Sequence, residues 1–122
     1  MKNEKVVILG ASDKSDRYSY KAMKMLEENG HEVILVHPTL ESVEGKKVLH
    51  SLSDVKDSVD TLTMYVNPKI SSTMKNEIVA LRPKRVILNP GTENSELESV
   101  LKKAGISCEH ACTLVLLTTD QF

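Results

Sequence analysis

The chain has 122 residues, and we expect a single compact domain over residues 1–122. Its 16 lysine and arginine residues oppose 17 acidic residues, so the formal net charge is -1 and gives no reason to expect nucleic acid or an anionic membrane as a partner. Hydrophobic residues make up 40% of the chain, but no apolar run reaches the ~18 residues of a membrane span, and the two cysteines form no disulfide framework, so we expect a cytoplasmic protein.

The first predicted unit is a strand, a helix and a second strand. Residues 6–9 (VVIL) are typical of a strand that is buried on both faces. Over residues 18–29 the apolar side chains, Tyr18 among them, fall at helical spacing, and Gly30 is a typical helix stop. Residues 33–36 give another buried strand. A βαβ unit of this length, about 30 residues, predicts a parallel sheet.

The pattern is less regular after this unit. Pro38 ends the second strand, because proline cannot continue a strand's hydrogen-bond ladder. Residues 48–49 suit a short edge strand. Ser53 would cap one helical turn over residues 54–57.

Regular elements return at residue 61. Residues 61–66 (TLTMYV) predict a strand. Asn67 and Pro68 then have the roles of helix cap and first helical residue. The stripe from Ile70 to Leu81 predicts one helix, which Pro83 ends.

The last third of the chain adds two more strands and a helix. Residues 85–88 predict a strand, and the spacing of Ser95 and Glu98 predicts a capping box for the following helix. Residues 106–109 predict the final strand. The tail, residues 112–122, suits either helix or strand, and we favour a short helix that covers the sheet edge.

Alternating strands and helices predict an α/β fold, namely a Rossmann-like, doubly wound, mainly parallel sheet of five to six strands with helices on both faces. Right-handed crossovers place the carboxyl ends of the strands on one rim. Four loops then reach this rim, at residues 10–19, 37–39, 66–68 and 89–91. Ligands of such sheets bind there, at the switch point beside the first strand.

The loop after the first strand predicts an anion site. Gly10 permits a tight turn and lets a ligand approach the backbone. The unpaired N–H groups at the start of the next helix favour an anion, and Arg17 and Lys14 add positive charge. Hydroxyl groups come from Ser12, Ser15 and Ser19. The alternative is that Ser15 or Asp16 only caps the helix while Arg17 is solvated.

Two nucleotide-binding signatures are absent. The dinucleotide motif G-x-G-x-x-G would need glycine where Ser12 and Ser15 stand, and the phosphate loop G-x-x-x-x-G-K-[ST] is missing as well, which argues against ATP hydrolysis. NAD-binding domains carry an acidic residue after the second strand, whereas this chain has His37, with Glu41 beyond the proline turn. NAD is therefore disfavoured and a phosphorylated ribose stays open. Alternatively, His37 only packs at the strand end.

Three remaining features give weaker indications of a functional site. Residues 65–68 and 89–91 would form the opposite wall, with a plain turn and helix cap as the alternative for each. Cys108, His110 and Cys112 form C-x-H-x-C, but a zinc site needs further ligands, so no metal is expected. Cys112 would be either a thiol near the end of the ligand or a small buried hydrophobe. Neither a G-x-S-x-G elbow nor a Ser–His–acid set occurs, so no catalytic residue is predicted.

Four separated motifs, in this order, resemble the small stand-alone CoA-binding domain proteins. They are Gly10-Ala11-Ser12 with Arg17 and Ser19, the stretch 30–38, Asn89-Pro90-Gly91, and Ala111-Cys112-Thr113. The resemblance covers roughly residues 4–122 and extends to the CoA-binding domain of the succinyl-CoA synthetase alpha subunit. It implies a Rossmann-like sheet that binds coenzyme A.

The resemblance also implies roles for individual residues. Phosphates would lie at Gly10, Ala11, Ser12 and the first helix, and the adenosine end at His37, Pro38 and Thr39. The pantetheine path would follow Tyr65, Val66, Asn67, Asn89, Pro90 and Gly91. The relatives often carry Asn in place of His37 and Lys in place of Thr39.

We therefore expect a CoA or acyl-CoA binding protein without catalytic activity of its own. A further hypothesis is that, under oxidation, Cys112 forms a mixed disulfide with the CoA thiol. The alternatives are an NAD(P)-binding domain of the oxidoreductase type and an interaction module with a vestigial nucleotide site. A homodimer is a further alternative if the apolar tail is exposed.

Overall fold

The structure, a computed structural model, describes residues 3–122 as one seven-stranded sheet between two layers of helices. The strands are β1 (Lys5–Leu9), β2 (Glu32–Val36), β3 (Ser42–Val43), β4 (Lys46–Leu49), β5 (Thr61–Met64), β6 (Arg85–Leu88) and β7 (Ser107–His110). The helices are α1 (Tyr18–Glu28), α2 (Pro68–Ser71), α3 (Lys75–Leu81), α4 (Ser95–Lys103) and α5 (Thr113–Thr118), with 3-10 turns at Leu52–Asp54 and Ser72–Met74. None of the helices in this part of the chain is long and apolar enough to span a membrane.

The strand order is β3-β4-β2-β1-β5-β6-β7, and every neighbouring pair is parallel except β3 with β4. The chain winds outward from β1 to β2 and β4, then returns to β5 and winds outward the other way. This arrangement confirms the predicted Rossmann-like α/β class. Its switch point lies between β1 and β5, which places a ligand site at the carboxyl ends of these two strands.

The sheet has seven strands where five to six were predicted. The difference comes from a hairpin, in which Ser42 and Val43 pair with Lys47 and Lys46. Both residues of the connecting turn have positive φ, 49° at Glu44 and 81° at Gly45, as in the type I′ turn of a tight hairpin. A strand of two residues is too short to show alternation in the sequence. Because β3 pairs with it, β4 is not the edge strand that was expected.

The core lies on both faces of the sheet, and β1 contributes to each. Val6 and Ile8 pack against the side that carries α1 and α5, whereas Val7 and Leu9 pack against the side that carries α3 and α4. Alternate side chains of a strand point to opposite faces, so a strand that is covered twice must be apolar throughout. This is why the run VVIL marks the centre of the sheet.

The single helix predicted from Ile70 to Leu81 is interrupted. Asn67 does cap its start, accepting a hydrogen bond on Oδ1 from the backbone N–H of Ile70 at 2.9 Å. Ser71 and Thr73 then donate their hydroxyls to the carbonyls of Pro68 and Ile70, at 3.2 and 2.6 Å. Serine and threonine hydroxyls compete in this way for helical carbonyls. The backbone therefore tightens into the 3-10 turn Ser72–Met74 before α3 begins.

Two predicted helix N-caps were wrong, and in each case a neighbouring residue is the N-cap instead. Asn94, not Ser95, caps α4, and its Oδ1 accepts from the Leu97 N–H at 3.1 Å. Ser51, not Ser53, caps the 3-10 turn at Leu52–Asp54, and no α-helical turn forms over 54–57. In both places the chain offers two capping residues close together, and the sequence does not show which one leaves the helical conformation.

The tail does form a helix, α5, as favoured, but its position differs from the prediction. Leu117 is buried in the cluster that contains Ala22 and Leu26 of α1. Therefore α5 covers a face of the sheet beside α1 rather than the sheet edge. Val115, on the outer side of α5, is exposed.

Candidate functional site

A groove of about 1160 Å³ opens at the carboxyl ends of the central strands, beside the switch point. Its volume exceeds the range of about 300–1,000 Å³ that is usual for small-molecule sites, so the groove has room for a large ligand. Fourteen of the sixteen candidate residues line it: Gly10, Ala11, Ser12, Lys14, Arg17, Ser19, His37, Pro38, Thr39, Tyr65, Val66, Asn67, Pro90 and Gly91. Asn89 and Cys112 are not among its lining residues.

Gly10 lines the groove where the chain leaves β1, close to the backbone of Tyr65. Its φ is 97°, and a Cβ on this residue would lie 2.9 Å from the carbonyl oxygen of Tyr65. A side chain here would force β1 and β5 apart and would also strain the backbone at this positive φ. Both the space and the backbone conformation therefore require glycine. The N–H groups of Gly10 and Ala11 both donate to the Val36 carbonyl, at 3.0 and 3.1 Å. These two residues therefore shape the floor, and their N–H groups are already used within the sheet.

The start of α1 is open toward the groove. Arg17 is its N-cap, with extended backbone, and no side chain among the described residues caps the helix. The alternative that Ser15 or Asp16 caps the helix is therefore wrong. The first N–H groups of an uncapped helix, together with the helix dipole, favour an anionic ligand.

Positive charge in the groove lining comes from one loop. Lys14 and Arg17 are the only lysine and arginine among the lining residues that the structure describes, and both are exposed. The Lys14 N–H donates to Ser12 Oγ at 3.1 Å, which closes a tight turn in the loop. Ser19 is buried at the base of the groove. The β1–α1 loop is thus the part of the groove best suited to a phosphate group.

His37 has a structural role at the end of β2. Its Nδ1 accepts from the backbone N–H groups of Thr39 and Leu40, at 3.1 and 3.0 Å. An accepting Nδ1 carries no proton, so the proton of the neutral ring is on Nε2. The Thr39 N–H is used in this turn. His37 thus has the structural role at the strand end that was given as the alternative, and it also lines the groove, so its contact with a ligand stays a prediction.

The wall opposite α1 is formed by β5 and the start of α2. The Tyr65 hydroxyl is enclosed beside Thr63 and Thr113, without a hydrogen bond of normal geometry within the described chain. Burial, the main cause, raises the pKa of Tyr65 to about 12, so the phenol stays protonated. Asn67 Oδ1 is used as a helix cap, which leaves its amide group and the Val66 side chain for a ligand.

Asn89 lies beneath the groove and ties three elements together. Its Nδ2 donates to Thr63 Oγ1 at 2.7 Å and to the Met64 carbonyl at 2.8 Å, while its Oδ1 accepts from the Thr113 N–H at 2.9 Å. The Thr63 and Thr113 hydroxyls share a further hydrogen bond of 2.8 Å. Because Asn89 is buried and fully used, the structure assigns it to holding β5, β6 and α5 in place and not to the groove surface.

The cysteines do not converge with other ligands. Cys112 is half-buried at the N-cap of α5, behind Tyr65 and outside the groove lining. Burial, with the nearby Glu98 and Glu109 carboxylates as smaller causes, raises the pKa of Cys108 to about 11. Instead, Nε2 of His110 lies 2.9 Å from Oε2 of Glu98. Over residues 3–122 there is no cluster of three or more His, Cys, Asp or Glu side chains that could hold a metal ion.

Sequence reasoning missed several lining residues. Tyr18 and Ile70 were assigned to inner helix faces, but they are 68% and 46% exposed and both line the groove. Helical spacing alone predicts that both side chains face the core. Each lies in the first turn of its helix, however, where the core does not cover the apolar face. Other lining residues that were not predicted are Leu9, Asp13, Val36, Leu40, Glu41, His50, Ser51, Met74, Glu77 and Thr92.

The chain is similar to several known proteins. A family model described as a CoA binding domain matches residues 4–118. A crystal structure of an uncharacterized protein is 43% identical, covers 100% of both chains and superposes with a TM-score of 0.94. The Bacillus subtilis (strain 168) uncharacterized protein YneT is 24% identical over 104 residues, which are 85% of this chain and 77% of YneT.

A more distant structure shares the fold. It is a Ca. Korarchaeum cryptofilum protein described as a dinucleotide forming acetyl-coenzyme A synthetase. It superposes with a TM-score of 0.74 at 19% identity, over 87% of this chain and 26% of the synthetase chain. At this identity the likeness shows the fold alone.

Proposed function

The chain belongs to the family of CoA binding domains, and we propose on that premise that it binds coenzyme A or an acyl-CoA in the groove beside β1. The observation that carries the proposal is the β1–α1 loop. It joins the uncapped start of α1 to Arg17 and Lys14, which supply all the lysine and arginine charge of the described groove lining. Phosphates of an extended ligand suit this position.

The two ends of the groove suit the two ends of such a ligand. Toward β2 and β4 the lining is polar, with His37, Thr39 and Ser51, which suits the adenosine end. Toward β5 and β6 it includes Val66 and Pro90, which suits the less polar pantetheine arm. The order of these linings along the groove supports a ligand with three parts in the same order.

Binding without catalysis is part of the proposal. His37 Nδ1 is used by its own turn and is not available as a base, which supports binding without catalysis. The protein would hold or present CoA, in a cytoplasmic setting, without changing it.

Titration calorimetry with CoA, dephospho-CoA, NADP and NAD, each on the same protein sample, tests the proposal. We expect CoA to bind most tightly, and CoA should also raise the unfolding temperature, because a ligand of the native state stabilises it. Tighter binding of NADP than of CoA would overturn the proposal. If no compound binds and no thermal shift occurs, the groove is vestigial and the protein is an interaction module.

A dinucleotide is the second candidate, and one observation favours it. Glu41 lies beyond the proline turn but still lines the groove, beside His50, with 3.5 Å between Glu41 Oε1 and His50 Nε2. A carboxylate at this end could accept the hydroxyls of an unphosphorylated ribose, as in NAD-binding domains. Replacing Glu41 by glutamine would weaken NAD binding in that case and leave CoA binding unchanged in ours.

A further inference from the structure

The groove has unequal chemistry at its two ends. The end formed by α2, α3 and the β6–α4 loop carries Ile70, Met74 and Pro90, and Glu77 is its single charged lining residue within residues 3–122. Both cations of the described lining, Lys14 and Arg17, belong to the β1–α1 loop. The α2–α3 end therefore combines apolar side chains with one carboxylate, beside the uncharged polar groups of Asn67 and Thr92.

Neither of the lysines close to Glu77 in the sequence, Lys69 and Lys75, offsets this charge within the groove. Lys75, on the same helix as Glu77, places its Nζ 2.6 Å from the Glu96 carboxylate. Lys69 on α2 is exposed but is not among the lining residues. An anionic group that reached this end would meet Glu77 without a lining cation to pair with it.

We propose that the α2–α3 end of the groove receives the acyl group of an acyl-CoA and selects uncharged acyl groups against dicarboxylic ones. The proposal rests on CoA binding in the groove. If CoA phosphates occupy Arg17 and Lys14, the acyl group extends toward Ile70, Met74 and Glu77. An alkyl chain there removes the exposed Ile70 side chain from water, which is favourable. A terminal carboxylate is instead repelled by Glu77.

Calorimetry with butyryl-CoA and succinyl-CoA, both as stable thioether analogues, isolates the effect of the carboxylate, because the two acyl chains have the same number of carbons. We expect succinyl-CoA to bind about three- to tenfold more weakly than butyryl-CoA to the unaltered protein, as for like charges in a partly solvated site. In Glu77→Gln the two affinities should agree within about twofold. The matched control is Glu28→Gln, at the far end of α1 and exposed, which should keep the difference.

The apolar part of the proposal has its own variant. Ile70→Ser should reduce the ratio of the butyryl-CoA affinity to the free-CoA affinity, because the alkyl chain loses an apolar contact, and any contact with the thiol end that both ligands share cancels in this ratio. The Ile70 side chain is 46% exposed, so the substitution leaves the core intact.

The possible results separate this proposal from the parent one. If CoA binds but succinyl-CoA binds as tightly as butyryl-CoA, or if Glu77→Gln leaves their ratio unchanged, the acyl selection is wrong and the CoA site stands. If free CoA and both analogues fail to bind, the CoA site and the acyl selection fall together.

Discussion

Arg17 and Asn89 show two ways in which a polar residue serves one groove. Arg17 is exposed at the open start of α1, where its charge is available to a ligand. Asn89 is buried under the groove, and its side chain forms hydrogen bonds with Thr63, Met64 and Thr113. The first residue should therefore affect binding, and the second should affect folding.

Replacing Arg17 by alanine should weaken CoA binding by about 1.5–3 kcal/mol, the range for charge-assisted hydrogen bonds. Stability should change little, because the side chain is exposed. Calorimetry with CoA measures the first effect and urea unfolding the second. Lys21→Ala is the control, since Lys21 is exposed one turn further along α1 and is not part of the groove lining. An unaltered affinity in Arg17→Ala would remove Arg17 from the site.

Replacing Asn89 by alanine should lower the free energy of unfolding by about 2–4 kcal/mol, because it leaves buried partners on β5 and α5 without their hydrogen bonds. Urea unfolding measures the loss. Asn76→Ala, at an exposed position of α3, should change stability by less than about 0.5 kcal/mol. A loss as small in Asn89→Ala as in Asn76→Ala would show that the network is not structurally important.

At the scale of elements, hydrogen bonds from single side chains decide where the helices begin and end. Asn94 caps α4 and also donates from Nδ2 to the Ser71 and Ser72 hydroxyls, at 2.7 and 3.0 Å. One side chain thus joins the start of α4 to the break after α2. The position of Ile70, and with it the apolar end of the groove, depends on this junction.

Asn94→Ala should therefore cost more than an ordinary cap, which contributes typically about 1 kcal/mol. We expect a loss of about 2–3 kcal/mol in urea unfolding, because the buried Ser71 hydroxyl also loses a partner. Ser95→Ala, at the residue that the sequence pattern had favoured, should lose no more than about 0.5 kcal/mol. Equal effects of the two substitutions would restore the capping box at Ser95.

At the scale of the whole molecule, the rim opposite the groove holds the chain terminus in a polar cluster. The Phe122 ring lies between His31, with ring centroids 5.1 Å apart, and the Arg85 guanidinium, 4.5 Å from the ring centre. Arg85 also contacts Glu4 and Glu109. These contacts lie at the rim away from the groove, whereas the groove rim has an open loop and an uncapped helix start that leave room for a ligand.

His31 makes this rim sensitive to pH. Its Nδ1 accepts from the Glu4 N–H at 2.9 Å, and burial, the largest cause, lowers the pKa of His31 below the ordinary value of 6.5. Below pH 6.5 His31 takes up a proton in the unfolded chain, whereas its lowered pKa keeps it neutral to a lower pH in the folded chain. The contribution of His31 to the free energy of unfolding is therefore present above pH 6.5 and is lost as the pH falls.

The stability difference between the unaltered protein and His31→Gln should therefore shrink from pH 7.5 toward about pH 5, as the linkage requires. Urea unfolding at several pH values measures it. His50→Gln, at an exposed histidine, serves as the control for changes in the number of histidines. A difference that grows as the pH falls would mean that folding raises the pKa of His31.

The sequence supports the architecture more firmly than the details of the site. Alternating buried strands and amphipathic helices predict the parallel sheet, its rim and most loops of the groove, because these depend on patterns over many residues. The hairpin strand at Ser42–Val43, the helix break at Ser72–Met74 and the buried position of Asn89 depend on contacts with distant segments. A pattern within one segment contains no information on them, and the same holds for Glu77, which reaches the groove only after the chain has folded.

A crystal structure of the protein with CoA would show directly whether CoA binds in the groove with its phosphates at the β1–α1 loop. We expect the CoA diphosphate at the start of α1, within hydrogen-bond distance of Arg17, with the adenosine toward His37 and the thiol end toward Ile70. CoA bound elsewhere on the molecule, or bound in the groove with its phosphates away from the β1–α1 loop, would contradict the account.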